Sequence, residues 1–223
     1  HVVPDWESIM NLGFVGIRQR AREYRAMHES KQPLSSEEQS FFDGIEIEYT
    51  AIIDFIDRLY RYAAKKNHSK AARQTNCLLH LRDGAPTDIY EAMQLIFIFF
   101  MVSESVDLYQ VRSLGNGLDY TLYPFYKNDL LTQKYTRDEI KEFLAYFLMQ
   151  WSSIGNYWGQ PFYLGGTAED GASLINTLSH DIIDVYRDLG IYNPKIQIKY
   201  NKNTPLDFTN KVLDMIRSGQ SSF

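Results

Sequence analysis

One cysteine, Cys77, is all that the 223 residues contain. A single thiol excludes an internal disulfide and any cysteine-based zinc site, and a reducing cytoplasm is the compartment expected of such a chain. Histidine is scarce too: His1, His28, His68, His80 and His180 show no metal-ligand spacing. No GxSxG, HExxH, Walker A or paired CxxC stretch occurs. Positive charge is not in excess, with 23 Lys and Arg against 28 Asp and Glu. That balance removes the electrostatic reason to expect nucleic acid or an acidic membrane as partner. Long apolar runs are missing as well. The longest, LIFIFFMV from Leu95 to Val102, falls far short of the ~20 residues a bilayer demands and reads as a buried helix or strand. No charged-then-apolar leader starts the chain. The opening HVVPDW, without methionine, and the ending RSGQSSF are expected to be cuts through a longer protein.

What is present is apolar and aromatic. Hydrophobic residues make up 44% and aromatics 14%, enough for a large core and far from a disordered composition. The pattern is mostly helical. Ile9, Leu12, Val15 and Ile17 keep helical spacing after Asp5, through about Met27. Ser35 and Glu38 have capping-box spacing and start a helix running to about Lys66. A third helix is expected from about Ser69 to Leu81. A fourth runs from Ile89 to about Ser105, capped by Thr87 or Asp88. It is apolar nearly all round and therefore central.

RSLGNGLDYTLYPFYKNDL has the glycines, asparagine and proline of a loop. Thr136 and Glu139 then make a second capping box, and Gly155 closes the helix they start. QPFYLGG looks like a short strand ending in two glycines. A helix from about Ala172 to Leu189, closed by Gly190, follows. KIQIKY alternates like a strand, and Thr204-Pro205 begins a last helix. Helices interleaved with short strands predict a helix-rich α/β fold.

Cys77 reads as a small buried thiol, since nothing nearby in sequence would lower its pKa. The acidic residues fall mostly at helical surface spacing, the pattern of a solvated face. Three loops remain: HVVPD, RSLGNGLDY and QPFYLGGTAEDG. By composition alone they are ordinary turns. Yet each sets polar side chains beside strongly apolar elements, and in an α/β fold binding sites gather where such loops leave the strand ends.

Their residues also carry a resemblance. HVVPDWESIMNLGFVGI is similar to the GHVxPDYxxVLxxGLxGI stretch of the glycyl radical enzymes, the family of pyruvate formate-lyase and its dehydratase and decarboxylase relatives. CLLHLRDGAPTDIYEAMQLIFI resembles their CxxVPxxPPxTFxEALQLxWF, with Glu91, Ala92 and Gln94 in place. RSLGNGLDYTLYPFYKNDL resembles SxGRxDQYLYPYYxxDL, and YLGGTAEDGASLINTLS resembles xLGGxxxDGxDxxNxLS. NPKIQIKY resembles the barrel strand that follows, and RSGQSSF the start of GxGxPSFxND. The six blocks keep the family's order from end to end. Two positions depart from the pattern: Asn116 stands where the family has arginine, and Tyr120 where it has glutamine.

The resemblance implies that residues 1–223 form one segment of a ten-stranded α/β barrel wrapped in helices. Positions 1–110 would be helical, and 111–223 would supply barrel loops, strands and helices. It implies hydrogen-atom abstraction from substrate by a cysteine thiyl radical. That radical is regenerated from a glycyl radical, which an S-adenosylmethionine iron–sulfur activating enzyme installs. Both radical residues would lie beyond Phe223, so no catalytic residue, metal ligand or cofactor is expected within this chain, which would be inactive alone. Substrate contact is expected from His1, Ser113, Asp119, Tyr163, Gly165 and Gly166. A histidine at position 1 can donate or accept one proton near neutral pH, which suits loss of water from a hydroxylated substrate. The expected parent is thus a dehydratase or C–X lyase. The expected partners are a small substrate, the activating enzyme and a second copy. The glycine pair of LGG is expected to keep side chains out of the substrate's space. The alternatives are a pyruvate formate-lyase type activity and a non-catalytic helical binding or scaffold domain.

Overall fold

The computed structural model describes residues 3–66, 68–106, 114–154 and 161–220. These group into two compact units. One holds Glu7–Thr87 and Gln94–Val102; the other holds the chain start to Trp6, Asp88–Met93 and the residues from Ser103 onward.

The first unit is helical. Helix α1 (Trp6–Glu29) is interrupted at Gly13 by non-helical backbone. Helix α2 (Ser36–Ala63) opens on the expected capping box: Ser35 Oγ accepts the Glu38 amide, and the Glu38 carboxylate accepts the Ser35 amide. Its buried face carries Ile52, Ile56 and Ala63. Helix α3 (Ala71–Asp83) buries Cys77, Leu78 and Leu81 and packs against α2. Arg82 of α3 spans the two helices by donating to Asp57 of α2 at 3.0 Å.

Helix α4 (Ile89–Val106) contributes to both units. Asp88 caps it, its Oδ1 accepting the Glu91 amide at 2.8 Å. By length and composition α4 is apolar enough to cross a membrane, with mean hydropathy 1.5. Ile89, Ala92, Met93, Leu95, Ile96, Ile98 and Phe100 are instead buried in the protein, as the core helix of a globular chain would be.

The second unit contains a correction. The stretch read as a loop folds from Leu118 to Leu131 as helix α5, with Pro124 inside. Leu118, Leu122, Tyr126 and Asp129 are buried, and their spacing is that of one helix face. Pro124 lacks the amide that would bond the Tyr120 carbonyl. Tyr120 is about half exposed (48%), so solvent can donate to that carbonyl in place of the missing amide.

Thr136 and Glu139 form the second capping box and start α6 (Arg137–Ser153), whose buried Ile140, Phe143, Leu144, Phe147, Leu148 and Trp151 keep helical period throughout. Gly155, expected to close this helix, lies outside the described residues. Strands β1 (Phe162–Gly165) and β2 (Ile196–Lys199) pair in parallel, Phe162 opposite Ile196 and Gly165 opposite Lys199.

Between the strands runs α7 (Thr177–Leu189), giving a β–α–β unit. It begins later than the expected Ala172, because Asn176 is its cap: Asn176 Oδ1 accepts the Leu178 and Ser179 amides at 2.9 and 3.2 Å. Gly190 ends it in the left-handed conformation, with φ 60°. Helix α5 packs on β1, α6 and α5 pack on α7, and α8 (Leu206–Arg217) also touches α7. Phe147, Trp151 and Phe162 pack their rings with centroids 5.7–6.0 Å apart, Phe147 on Phe162 stacked and Trp151 edge-on to both. The fold class is therefore the expected helix-rich α/β.

Candidate functional site

The carboxyl ends of parallel strands are where α/β folds place ligands. At that end of β1 the chain turns through Gly165 and Gly166, with φ 73° and 130°. The loop before α5 turns beside it through Gly115 and Gly117, with φ 62° and 141°. These two turns touch: a Cβ on Gly117 would stand 2.8 Å from the Tyr163 carbonyl oxygen. Val3 and Trp6 are there too, because a Cβ on Gly115 would meet Trp6 Cδ1 at 3.8 Å and Val3 Cγ1 at 3.9 Å. The three loops singled out in sequence thus converge at one end of the strand pair.

Asp119 joins two of them. It is fully buried (0% exposed) in the first turn of α5. Its Oδ2 accepts the Gly165 amide at 2.9 Å and the Ser179 hydroxyl at 2.5 Å, and its Oδ1 accepts the Tyr120 amide at 2.9 Å. Burial raises its pKa above the usual carboxylate range, while the bonds from Ser179, Gly165 and Tyr120 pull the other way. Both oxygens have donors, so this side chain fixes the turn rather than offering itself to a ligand.

The glycine pair is explained differently from expectation. A Cβ on Gly165 would lie 2.6 Å from Ile175 Cδ1 and 3.2 Å from the Lys199 carbonyl oxygen, and one on Gly166 would lie 3.3 Å from Leu174 Cδ1. The clearance is demanded by the protein's own backbone and by the segment leading into α7, before any substrate is considered.

Of the predicted site residues, Asp119, Tyr163, Gly165 and Gly166 come together here, whereas His1 and Ser113 lie outside the described residues. Sequence reasoning missed Ser179, Asn201 and Lys199. Asn201 Nδ2 donates to the Gly166 carbonyl at 3.2 Å and to Thr167 Oγ1 at 2.8 Å, closing the turn from beyond β2. Lys199 Nζ donates to the carbonyls of Gly115 and Asn116, both at 3.3 Å, and sits 5.0 Å from the centroid of the Tyr163 ring. The alternation of KIQIKY marks Lys199 as a polar-face residue, but only the pairing register places it opposite Gly165. Among the described residues, no cluster of three or more His, Cys, Asp or Glu is placed to hold a metal ion.

The whole chain, residues 1–223, matches the family described as pyruvate formate lyase-like. The chain belongs to that family. It is 22% identical to the (2S)-3-sulfopropanediol dehydratase of Klebsiella oxytoca over 98% of its length. It is 22% identical to the isethionate sulfite-lyase of Nitratidesulfovibrio vulgaris over 97%. In each case it spans 29% of the relative. A crystal structure of a glycyl radical enzyme from Archaeoglobus fulgidus superposes with a TM-score of 0.87 at 20% identity, covering 100% of this chain and 31% of that one. The helix-rich α/β arrangement is accordingly that of a segment of a glycyl radical enzyme. The three converging turns lie within the residues that the family matches.

Proposed function

We propose that the chain is a segment from the N-terminal half of a glycyl radical enzyme, a dehydratase or C–X lyase acting on a small hydroxylated substrate. The observation that carries the reading is the meeting of the Val3, Gly115–Asp119 and Gly165–Gly166 segments at the carboxyl end of β1, in a chain matched along its whole length by the family. Relatives that dehydrate a diol or cleave a C–S bond support the reaction class.

In this reading the radical residues lie beyond Phe223. A cysteine thiyl radical, regenerated from a glycyl radical that an S-adenosylmethionine-dependent activating enzyme installs, would supply hydrogen-atom abstraction at a substrate carbon. This chain supplies the wall and the polar contacts. His1 is assigned to substrate contact, where an imidazole can donate or accept one proton near neutral pH and so suits a hydroxylated substrate. Ser113 and Tyr163 orient the substrate. Asp119 holds the Gly165 amide and so fixes the turn against which the substrate lies. Radical chemistry needs water kept out, and the apolar packing behind β1 serves that need. The parent works as a homodimer in the cytoplasm of an anaerobe, and residues 1–223 are one segment of its catalytic domain, inactive when separated from it.

The test is anaerobic activation of the full-length protein, with electron spin resonance and a screen of diols, hydroxysulfonates and hydroxy acids for loss of water or sulfite. An organic radical signal with turnover of one of these compounds supports the reading. No radical signal under activation, or a signal with no turnover of any hydroxylated compound, counts against it.

A further inference from the structure

Among the described residues of the site above, Lys199 is a cation without a counter-charge. Lys199 ends β2, directly opposite Gly165 in the parallel pair. Its side chain crosses the end of the sheet. Its Cδ lies 3.8 Å from where a Gly166 Cβ would stand, its Nζ is 5.0 Å from the centre of the Tyr163 ring, and the same atom reaches the carbonyls of Gly115 and Asn116 at 3.3 Å. Lys199 therefore touches two of the converging turns.

Those partners orient the ammonium and leave its charge in place. Two carbonyl oxygens and a ring face carry partial charge only, and an ammonium has three N–H donors. Among the described residues no carboxylate pairs with Lys199. Asp119, the acid of this site, is fully buried and already takes the Gly165, Ser179 and Tyr120 donors. One donor and a full positive charge on a half-buried side chain remain at the strand ends, where an α/β fold puts its ligand.

The neighbouring residue sharpens the point. Asn116 stands where the resemblance calls for arginine, so position 116 offers no cation. The Lys199 ammonium is 3.3 Å from the carbonyl of that same residue.

We infer that Lys199 binds the anionic oxygen group, carboxylate or sulfonate, of a small hydroxylated substrate and sets the preference of the site for charged over neutral diols. A compact ammonium takes an oxyanion as a point charge, and with water excluded the attraction gains strength. The inference rests on the proposed placement of substrate at these turns.

The test is equilibrium binding to the full-length protein without activation, so that no radical is needed. The probes are 3-sulfopropane-1,2-diol, glycerate and neutral 1,2-propanediol, measured by calorimetry. Wild type is expected to bind at least one anionic probe about tenfold or more tightly than propanediol, a difference of about 1.4 kcal/mol. Which anion gains identifies sulfonate or carboxylate. Lys199→Arg keeps the preference, whereas Lys199→Gln removes it and leaves propanediol affinity within about twofold. A lysine that merely props the Gly115–Asn116 turn would lower all three affinities together in Lys199→Gln, and that result overturns the inference. So does a wild type that binds neither anion at millimolar concentration or shows no preference, a result independent of how any variant folds. Spin resonance on activated protein separates the two readings. A radical with turnover but no anion preference sinks only the role of Lys199. An anion preference without any radical sinks only the enzymatic reading.

Discussion

Asp119 and Gly165, 46 residues apart in sequence, are joined by a carboxylate-to-amide hydrogen bond of 2.9 Å in the protein interior. The bond ties the first turn of α5 to the last residue of β1. Replacing Asp119 with alanine would leave the Gly165 amide and the Ser179 hydroxyl buried without an acceptor, at about 1–3 kcal/mol each. We expect Asp119→Ala to lower unfolding stability by about 2–4 kcal/mol, and Asp119→Asn, which keeps one acceptor oxygen, by about half as much. Denaturant titration of the three proteins measures this. An alanine variant within about 0.5 kcal/mol of wild type would show that the strap contributes nothing.

Gly165 itself is constrained twice, by a φ of 73° and by Ile175 Cδ1 at 2.6 Å from the missing Cβ. Gly165→Val combines a strained conformation with overlap, each costing about 1–3 kcal/mol. Loss of stability, and not loss of binding alone, is therefore the expected result. Ile175→Ala in the same chain removes the overlap but not the φ penalty, so the double variant should lose less than the sum of the two single changes. Strict additivity in a double-mutant cycle would show that the two side chains do not compete for that space.

Much of this was legible in the sequence where the signal is local. The capping boxes Ser35–Glu38 and Thr136–Glu139, the αL cap at Gly190 and the alternation in KIQIKY depend on neighbours a few residues apart, and each is found in place. Helix α5 was hidden because Pro124 and the glycines before it outweigh the spacing of Leu118, Leu122, Tyr126 and Asp129, which tertiary burial decides. The start of α7 was misjudged because Asn176 caps from inside a stretch of helix formers. The meeting of the turns was expected, but its wiring was not readable. An aspartate in a first turn usually faces water, and nothing in LDYTL says that Asp119 points inward. Lys199 was overlooked for the same reason, since a lysine on the polar face of a strand reads as solvated until the register is known.

A different carboxylate should leave a signature in pH. Asp129 Oδ2 accepts the Ile89 amide at 2.8 Å, anchoring the start of α4, while Oδ1 is buried without a hydrogen-bond partner. Burial pushes its pKa up to about 6, helped by the nearby charges of Asp88 and Glu91 and opposed by Lys134. The folded protein thus binds a proton that the unfolded chain, with a carboxylate pKa of about 4, has released. Asp129 makes stability fall as pH rises from about 4 to about 6, by about 1–3 kcal/mol, and the penalty then stays constant. Asp129→Asn should be more stable than wild type at pH 7–8, with the gain shrinking towards pH 4. Parallel stability curves for the two proteins across pH 4–7 would refute the assignment.

Asp181 has the opposite sign. It is fully buried, and burial alone would raise its pKa. Arg137, donating at 2.7–3.0 Å, Tyr126 at 2.7 Å and Lys141 at 3.4 Å outweigh that and hold it below the usual carboxylate range. The cluster ties α5, α6 and α7 together, and its contribution is present above the unfolded carboxylate pKa and lost as pH falls through the lower folded value. Arg137→Ala strands a buried charge, a change that costs about 3–5 kcal/mol where a pair is dry. Here Tyr126 and Lys141 remain and the arginine is itself half exposed, so about 2–3 kcal/mol is expected. Arg137→Ala combined with Asp181→Asn removes the stranded charge and should recover part of that loss at neutral pH. It should also flatten the acid limb of the stability curve below about pH 4. If the double variant is as unstable as Arg137→Ala and keeps the acid dependence of wild type, the cluster is not what sets it.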